Sequence, residues 1–166
     1  MKFQDLSRRF LVRELCEEDV DAVYALCAGN PQFYRYHPPF VTRESIREDM
    51  RALPPGTTLE AKAFLGFFDS KELVAVLDLI SGYPDARTAF IGLFIVDASR
   101  QGQGLGSEII RECAECLRLA GYAKIRLAID KGNPQSEAFW TKNRFVKTGE
   151  EYPHTLYTHV PLELLL

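Results

Sequence analysis

The stretch "ASRQGQGLGS" (98–107) sets glycine at 102, 104 and 106, directly after the apolar run "FIGLFIV" and directly before a helical pattern. Glycines this dense permit positive φ and keep side chains away from the backbone N–H groups. A helix beginning there leaves its first amides unpaired, with the positive end of its dipole behind them. Strand, bare loop and helix N-terminus in succession make an anion site, with phosphate the natural occupant. Past the loop, Ile109, Ile110, Cys113, Cys116, Leu117 and Ala120 fall on one helical face, Glu108, Arg111, Glu112, Glu115 and Arg118 on the other, and Gly121 is the stop. "AKIRLAID" then returns as a strand, closing one β-α-β unit.

Around that unit, "FLVREL" (10–15) reads as a strand and "EEDVDAVYALCAG" as a helix with acids in its first turn and Gly29 at its end. "NPQFYRYHPPFV" is too rich in proline and aromatics for a regular element, and is expected to be irregular. Thr42 caps the next helix, which sets Ile46, Met50 and Leu53 on one face and stops at "PPG" (54–56). "KAFLGFFD", "ELVAVLDLI" and "RTAFIGLFIV", joined by the turn sequences "SK" and "SGYPDA", predict an antiparallel meander. Asn133 as N-cap and Pro134 at the first helical position open a short last helix, and "FVKTGEE" and "TLYTHVPLE" close the chain as strands. The order β-α-α-β-β-β-α-β-α-β-β predicts a mixed α/β (α+β) fold with a mostly antiparallel sheet, as one domain over residues 1–166.

A net charge of −3 without a basic run argues against a nucleic-acid partner and mildly favours a cationic or amine-bearing one. No apolar run approaches the roughly 18 residues of a membrane span, and "MKFQDLSRRF" is too polar for a secretion signal, so the cytoplasm is the expected location. Cys113 and Cys116 form a CxxC inside the amphipathic helix with no second pair at metal spacing, which reads as buried apolar thiols and no metal site. The glycine loop lacks the Lys of GxxxxGK[ST], which argues against nucleoside triphosphates. A dinucleotide loop needs GxGxxG; here the pattern is GxGxG with Ser107 next, although Asp130 stands about where a ribose-binding acid would.

"QGQGLG" (101–106) resembles the Q/R-x-x-G-x-G/A signature of the GNAT superfamily of acetyl-CoA-dependent N-acetyltransferases. "LFIVDASR" resembles that family's fourth strand, "NPQSEAFWTKNRF" is similar to its N-x-x-A-x-x-(F/L)-Y-E-K-x-G-F segment, and the element order agrees over nearly the whole chain. The resemblance implies that the amides of Gln101, Gly102, Gln103, Gly104, Leu105, Gly106 and Ser107 hold the coenzyme A pyrophosphate. It also implies that Phe94, Ile95 and Val96 lie along the pantetheine arm and that Asn133 and Trp140 approach it from the other side. A plain helix cap is the alternative for Asn133. By the same resemblance, a primary amine of a small molecule or peptide attacks the thioester directly, without a metal. Trp140 stands where the family has its proton-donating tyrosine, Arg144 replaces a glycine and Ser136 an alanine. An indole N–H donates a hydrogen bond but no proton.

The strand before the loop carries no acid, so the family's common glutamate there is missing as well. Asp78, alone inside the neighbouring apolar strand, is the candidate base, against a structural role. Tyr83 is a weak candidate acid, against packing on the sheet edge. Phe33, Tyr34, Tyr36, His37 and Phe40 suggest an aromatic wall for the acceptor, with Tyr34, Tyr36 and His37 as candidate contacts, or else a hydrophobic cover. His154 and Tyr157 are weaker candidates, simple exposure accounting for both. A noncatalytic acyl-CoA-binding module and a dinucleotide oxidoreductase are the rival functions, and a homodimer is left open.

Overall fold

The computed structural model describes residues 2–166. Its sheet contains β1 (Leu11–Glu14), β2 (Lys62–Asp69), β3 (Glu72–Ser81), β4 (Thr88–Val96), β5 (Lys124–Asp130), β6 (Val146–Lys147), β7 (Tyr152–Pro153) and β8 (Thr158–Leu165). The helices are α1 (Val20–Ala28), α2 (Pro31–Tyr36), α3 (Arg43–Asp49), α4 (Leu105–Leu119) and α5 (Pro134–Lys142). Strand order is β1-β2-β3-β4-β5-β8-β6, with β7 on β8. Every pairing is antiparallel except β4 with β5.

The meander strands are apolar along nearly their whole length because both faces are covered. In β2, Leu65 and Phe67 pack toward α4, while Phe64 and Phe68 pack toward α1 and α3. Alternation therefore sorts one run of residues into two cores. α4 buries Leu105, Ile109, Ile110, Cys113 and Leu117; Cys116 is half-buried and Ala120 lies exposed at the helix end. Burial pushes the Cys113 thiol far above its ordinary range, as suits a packing residue and not a ligand.

Three expectations need correction. The helix capped by Thr42 ends at Asp49 and not at 54–56, so Leu53 lies beyond it and is exposed while Ile46 is buried. Residues 31–36 form α2 despite their composition, because Pro31 occupies the first helical turn, where its missing N–H is no loss, and Pro38 and Pro39 come only after the helix has ended. The C-terminal region holds three strands in place of two, since the "FVKTGEE" segment contributes only Val146–Lys147 and Tyr152–Pro153 makes a separate pairing with β8.

What positions the site is the centre of the sheet. Opposite Asp78 and Leu79 the register of β4 slips, pairing Asp78 with Leu93 and Leu79 with Ile91, so Gly92 is an extra, bulged residue. The parallel pairing of β4 with β5 ends at Ile91 and Leu127. Beyond it the strands part, and the β5-facing backbone of residues 92–96 has no ladder partner.

Candidate active site

Two clefts open where β4 and β5 part. The first, about 270 Å³, runs from the glycine loop along β4. Phe94, Ile95 and Val96 form one side, and Gln101, Gly102, Gly104, Leu105, Gly106 and Ser107 form its end at the N-terminus of α4. Asn133 and Trp140 face them from the α5 side. Gln103 is the exception among the residues expected here: its side chain turns outward and its Nε2 donates to the Ser99 carbonyl at 3.4 Å.

The residues leading into the loop are anchored by side-chain contacts. Asp97 accepts from the Ser99 amide at 2.8 Å, and Arg100 pairs with Asp69 at 3.3 Å and Glu72 at 2.6 Å, tying the loop to the β2–β3 hairpin. Gly102 and Gly104 adopt φ of 75° and 82°, and a Cβ built on either would meet nothing within 4 Å. These positions need glycine for their backbone and leave open space in front of it. At Gly106 the reason differs: a Cβ there would press on Phe139 at 3.1 Å, so the glycine admits close packing of α5 on α4.

The sequence did not point to Asn30. Its Nδ2 donates to the carbonyls of Leu26 at 2.9 Å and Val96 at 3.2 Å, while Gln101 Nε2 donates to Asn30 Oδ1 at 2.6 Å and to Val96 O at 2.8 Å. Two side-chain amides thus supply the partners that the end of β4 lacks. Asn133 is buried and its Oδ1 accepts from the Ser136 amide at 3.2 Å, so it caps α5 and lines the cleft at once. Trp140 is buried between Phe94, Phe139 and Phe145, with ring centroids 4.9–5.9 Å away.

The second cleft, about 310 Å³, adjoins the first, and Phe33, Phe94, Ser136 and Trp140 line both. Tyr34 and His37 line it; Tyr36 lies outside both clefts. Tyr83 also lies outside them, in the β3–β4 turn with its ring edge-on to Phe90 at 5.4 Å, because the hairpin carries it away from the opening. Its geometry is that of a packing tyrosine. His154 and Tyr157 gather against the second cleft's rim, with Tyr157 stacked on His37 at 4.4 Å.

Three carboxylates face this second cleft, and their surroundings separate them. Asp78 sits over bulged Gly92, and both its oxygens accept from Lys62 Nζ, at 2.7 and 2.8 Å, in a pair whose side chains are 2% and 10% exposed. Burial raises the Asp78 pKa against the opposing pull of Lys62. Asp130 lies against His37 Nδ1 at 3.0 and 3.2 Å. Asp49, at the end of α3, has no hydrogen-bond or ion-pair partner among the described residues. It keeps solvent access at the cleft mouth, yet the protein crowded around it, and then the charge of Asp78, lift its pKa from 3.8 to about 6. A helix-terminal Asp reads in sequence as a solvated charge; only closure of the fold brings it to this cavity.

The profile of the acetyltransferase (GNAT) family matches residues 24–145, and the chain belongs to that family. No curated protein matches it by sequence. Among solved structures it is similar to an acetyltransferase from Thermus thermophilus (TM-score 0.74, 20% identity, 95% of this chain and 97% of that one covered). It is also similar to the Salmonella typhimurium acetyl transferase that modifies the N-terminal serine of ribosomal protein L7/L12 (TM-score 0.72, 19% identity, 97% of each chain). A third, the ribosomal-protein-S18-alanine N-acetyltransferase of Escherichia coli, gives a TM-score of 0.66 at 17% identity over 94% of this chain and 93% of that one. The chain is thus an acetyltransferase with the GNAT fold, and no helix in it is long and apolar enough to cross a membrane.

Proposed function

We propose that the protein transfers an acetyl group from acetyl-CoA to a primary amine of a small molecule or a peptide N-terminus. The observation that carries this reading is that the two clefts adjoin: the glycine loop at the N-terminus of α4 leads along an unpaired strand edge to a seam, with a carboxylate-lined cavity beyond it. The names of the Salmonella and Escherichia neighbours, both acting on ribosomal proteins, agree with an amine acceptor.

Acetyl-CoA would supply the activated acyl thioester. In this reading the amides of residues 101–107 bind its pyrophosphate against the α4 dipole, which is why Gly102 and Gly104 stand bare. The free backbone of residues 92–95 aligns the pantetheine arm, and its N–H groups meet the charge developing on the acyl oxygen. Asn133, Ser136 and Trp140 close the other wall.

An alkylamine of pKa about 10.4 must lose a proton before it attacks, at a cost near pH 7 of about 4–5 kcal/mol. Asp49 suits the base role better than Asp78. Its carboxylate is unpaired, lies in the acceptor cleft and has a pKa near 6, whereas both Asp78 oxygens are taken by Lys62. The leaving thiolate needs less help, since a thiol pKa of about 8.5 makes it a fair leaving group. Tyr34 and His37 contribute to the acceptor wall. Free cysteines, with Cys16 exposed, suit a reducing compartment such as the cytoplasm.

Thermal shifts with acetyl-CoA, coenzyme A and NAD⁺ test the reading. A ligand at about 100 times its Kd adds roughly 2.7 kcal/mol, several degrees for a domain of this size. Stabilisation by the coenzyme A forms alone, followed by thiol release with an amine panel, is the expected result. Stabilisation by NAD⁺, or by none of the three, overturns it.

A further inference from the structure

The chain contains three histidines, and the fold brings all of them to one place. His37 follows α2, His159 lies in β8, His154 precedes it in the loop, and between them Asp130 ends β5. Asp130 is buried, and no Lys or Arg lies within ion-pair distance among the described residues; its neighbours are His37 Nδ1 at 3.0 Å and His159 Nε2 at 3.8 Å. One ligand atom from each of His37, Asp130 and His159 lies within 4.8 Å of the others. In a tetrahedral zinc site, bonds of about 2.0–2.2 Å hold neighbouring ligand atoms roughly 3.4 Å apart, a value the two measured separations straddle.

The supports around these atoms point the same way. His154 Nε2 lies 3.1 Å from His159 Nδ1, so the second ring nitrogen of His159 is engaged and Nε2 is the one turned to Asp130. Such a partner on the far nitrogen is how proteins orient a ligating imidazole. Tyr157 stacks on His37 at 4.4 Å and holds its ring. Asp130 is a buried carboxylate whose ion-pair neighbours among the described residues are the two imidazoles and no Lys or Arg, and a cation placed among the three side chains would supply its counter-charge.

We propose that His37, Asp130 and His159 form a binding site for one divalent transition-metal ion of the zinc type, at the rim of the second cleft. Imidazole nitrogen with carboxylate oxygen suits zinc or its neighbours in the series and not magnesium or calcium. All three residues line the second cleft, so a fourth coordination position would open toward it. The site shares His37 and the second cleft with the acceptor wall of the acetyl-transfer reading, but it uses neither Asp49 nor the glycine loop of the first cleft, and its test reads metal binding alone.

The test is titration of the metal-free full chain with Zn²⁺ against a chromophoric chelator, with Co²⁺ absorption as a second readout. One equivalent should bind. Asp130→Asn, close to isosteric, and His37→Ala should each weaken binding by at least about 100-fold, and His154→Ala, which removes only the support, by about 10-fold. Co²⁺ should show tetrahedral ligand-field bands without a sulfur charge-transfer band, which separates this site from the cysteines. Circular dichroism confirms that each variant is folded. The proposal is overturned if wild type takes up no stoichiometric zinc, if uptake survives in folded Asp130→Asn, or if cobalt reports sulfur. In any of those cases the cluster is a hydrogen-bonded His–Asp pair with stacked rings and nothing more.

Discussion

Replacing Gly92 by alanine tests the geometry on which the site depends. A Cβ at this position would overlap Asp78 Oδ2 and come within 3.1 Å of its Cγ. Asp78 cannot swing aside freely, because both oxygens are held by Lys62 Nζ in a nearly dry pocket. The variant must therefore break the pair or unmake the bulge. Separating a buried ion pair costs about 3–5 kcal/mol, and some relief by strand movement brings the expectation to about 2–4 kcal/mol. Urea unfolding gives the number, and the decisive step is a second background. In Lys62→Met/Asp78→Ala the obstructing carboxylate is gone, so Gly92→Ala should cost less than about 1 kcal/mol there. An equal cost in both backgrounds would refute the reasoning, because the penalty would then belong to the backbone of the bulge alone.

The other expectations concern the site residues. For Asp49 the folded pKa lies above the unfolded one, so its charge opposes folding; the penalty is absent below about pH 4, grows toward pH 6 and is complete above it. Asp49→Asn should gain stability over wild type as pH rises through that window and level off beyond it, and a pH-independent gap in urea midpoint would show the group to be unperturbed. If Asp49 is the base, the acid limb of kcat/KM near pH 6 should vanish in the same variant, with a loss of about 10²–10⁴ in rate; an unchanged limb assigns the proton elsewhere. Gly104→Ala should lower stability by about 1–2 kcal/mol for its positive φ, and it should weaken coenzyme A binding by calorimetry, while unaltered affinity would remove the phosphate from this loop. Gln101→Ala leaves Val96 O to Asn30 alone, and should cost about 1 kcal/mol in thermal unfolding without disturbing the sheet.

How much of this was legible in the sequence follows from which features are local. The glycine loop and α4 are written in contiguous residues, where φ requirements, amphipathic spacing and a stop glycine fall within one stretch of chain. The meander was equally plain, since turn residues punctuate apolar runs. α2 was hidden because composition outweighed position: Pro31 is a start signal when read by its place and a breaker when merely counted. The Lys62–Asp78 pair was hidden too: the two-residue turn at Ser70–Lys71 by itself would set Ala63 opposite Asp78, and only the register shift between Phe67 and Phe68 sets Phe64 there and puts Lys62 on the same face one pleat away. Asn30 and Asp49 left no trace either, because what each does depends on a contact far along the chain. The histidine cluster likewise joins α2, β5 and β8, which no spacing rule connects.

The opening itself has a physical account. A central strand that leaves its partner exposes backbone groups, and each one buried without a hydrogen bond costs about 1–3 kcal/mol. Here the separation begins at a residue that has no side chain and can host a bulge, and it ends at Val96, whose carbonyl takes hydrogen bonds from Asn30 and Gln101. The first of those residues comes from the α1–α2 junction and the second from the glycine loop. The elements on either side of the cleft are therefore tied together through the strand edge they leave open. Among the described residues only 92–95 remain without partners on that edge, and that interval lies between the glycine loop and the carboxylates. A ligand that pairs there completes the sheet, which is why an extended amide-bearing chain such as the pantetheine arm suits it better than a flat ring would.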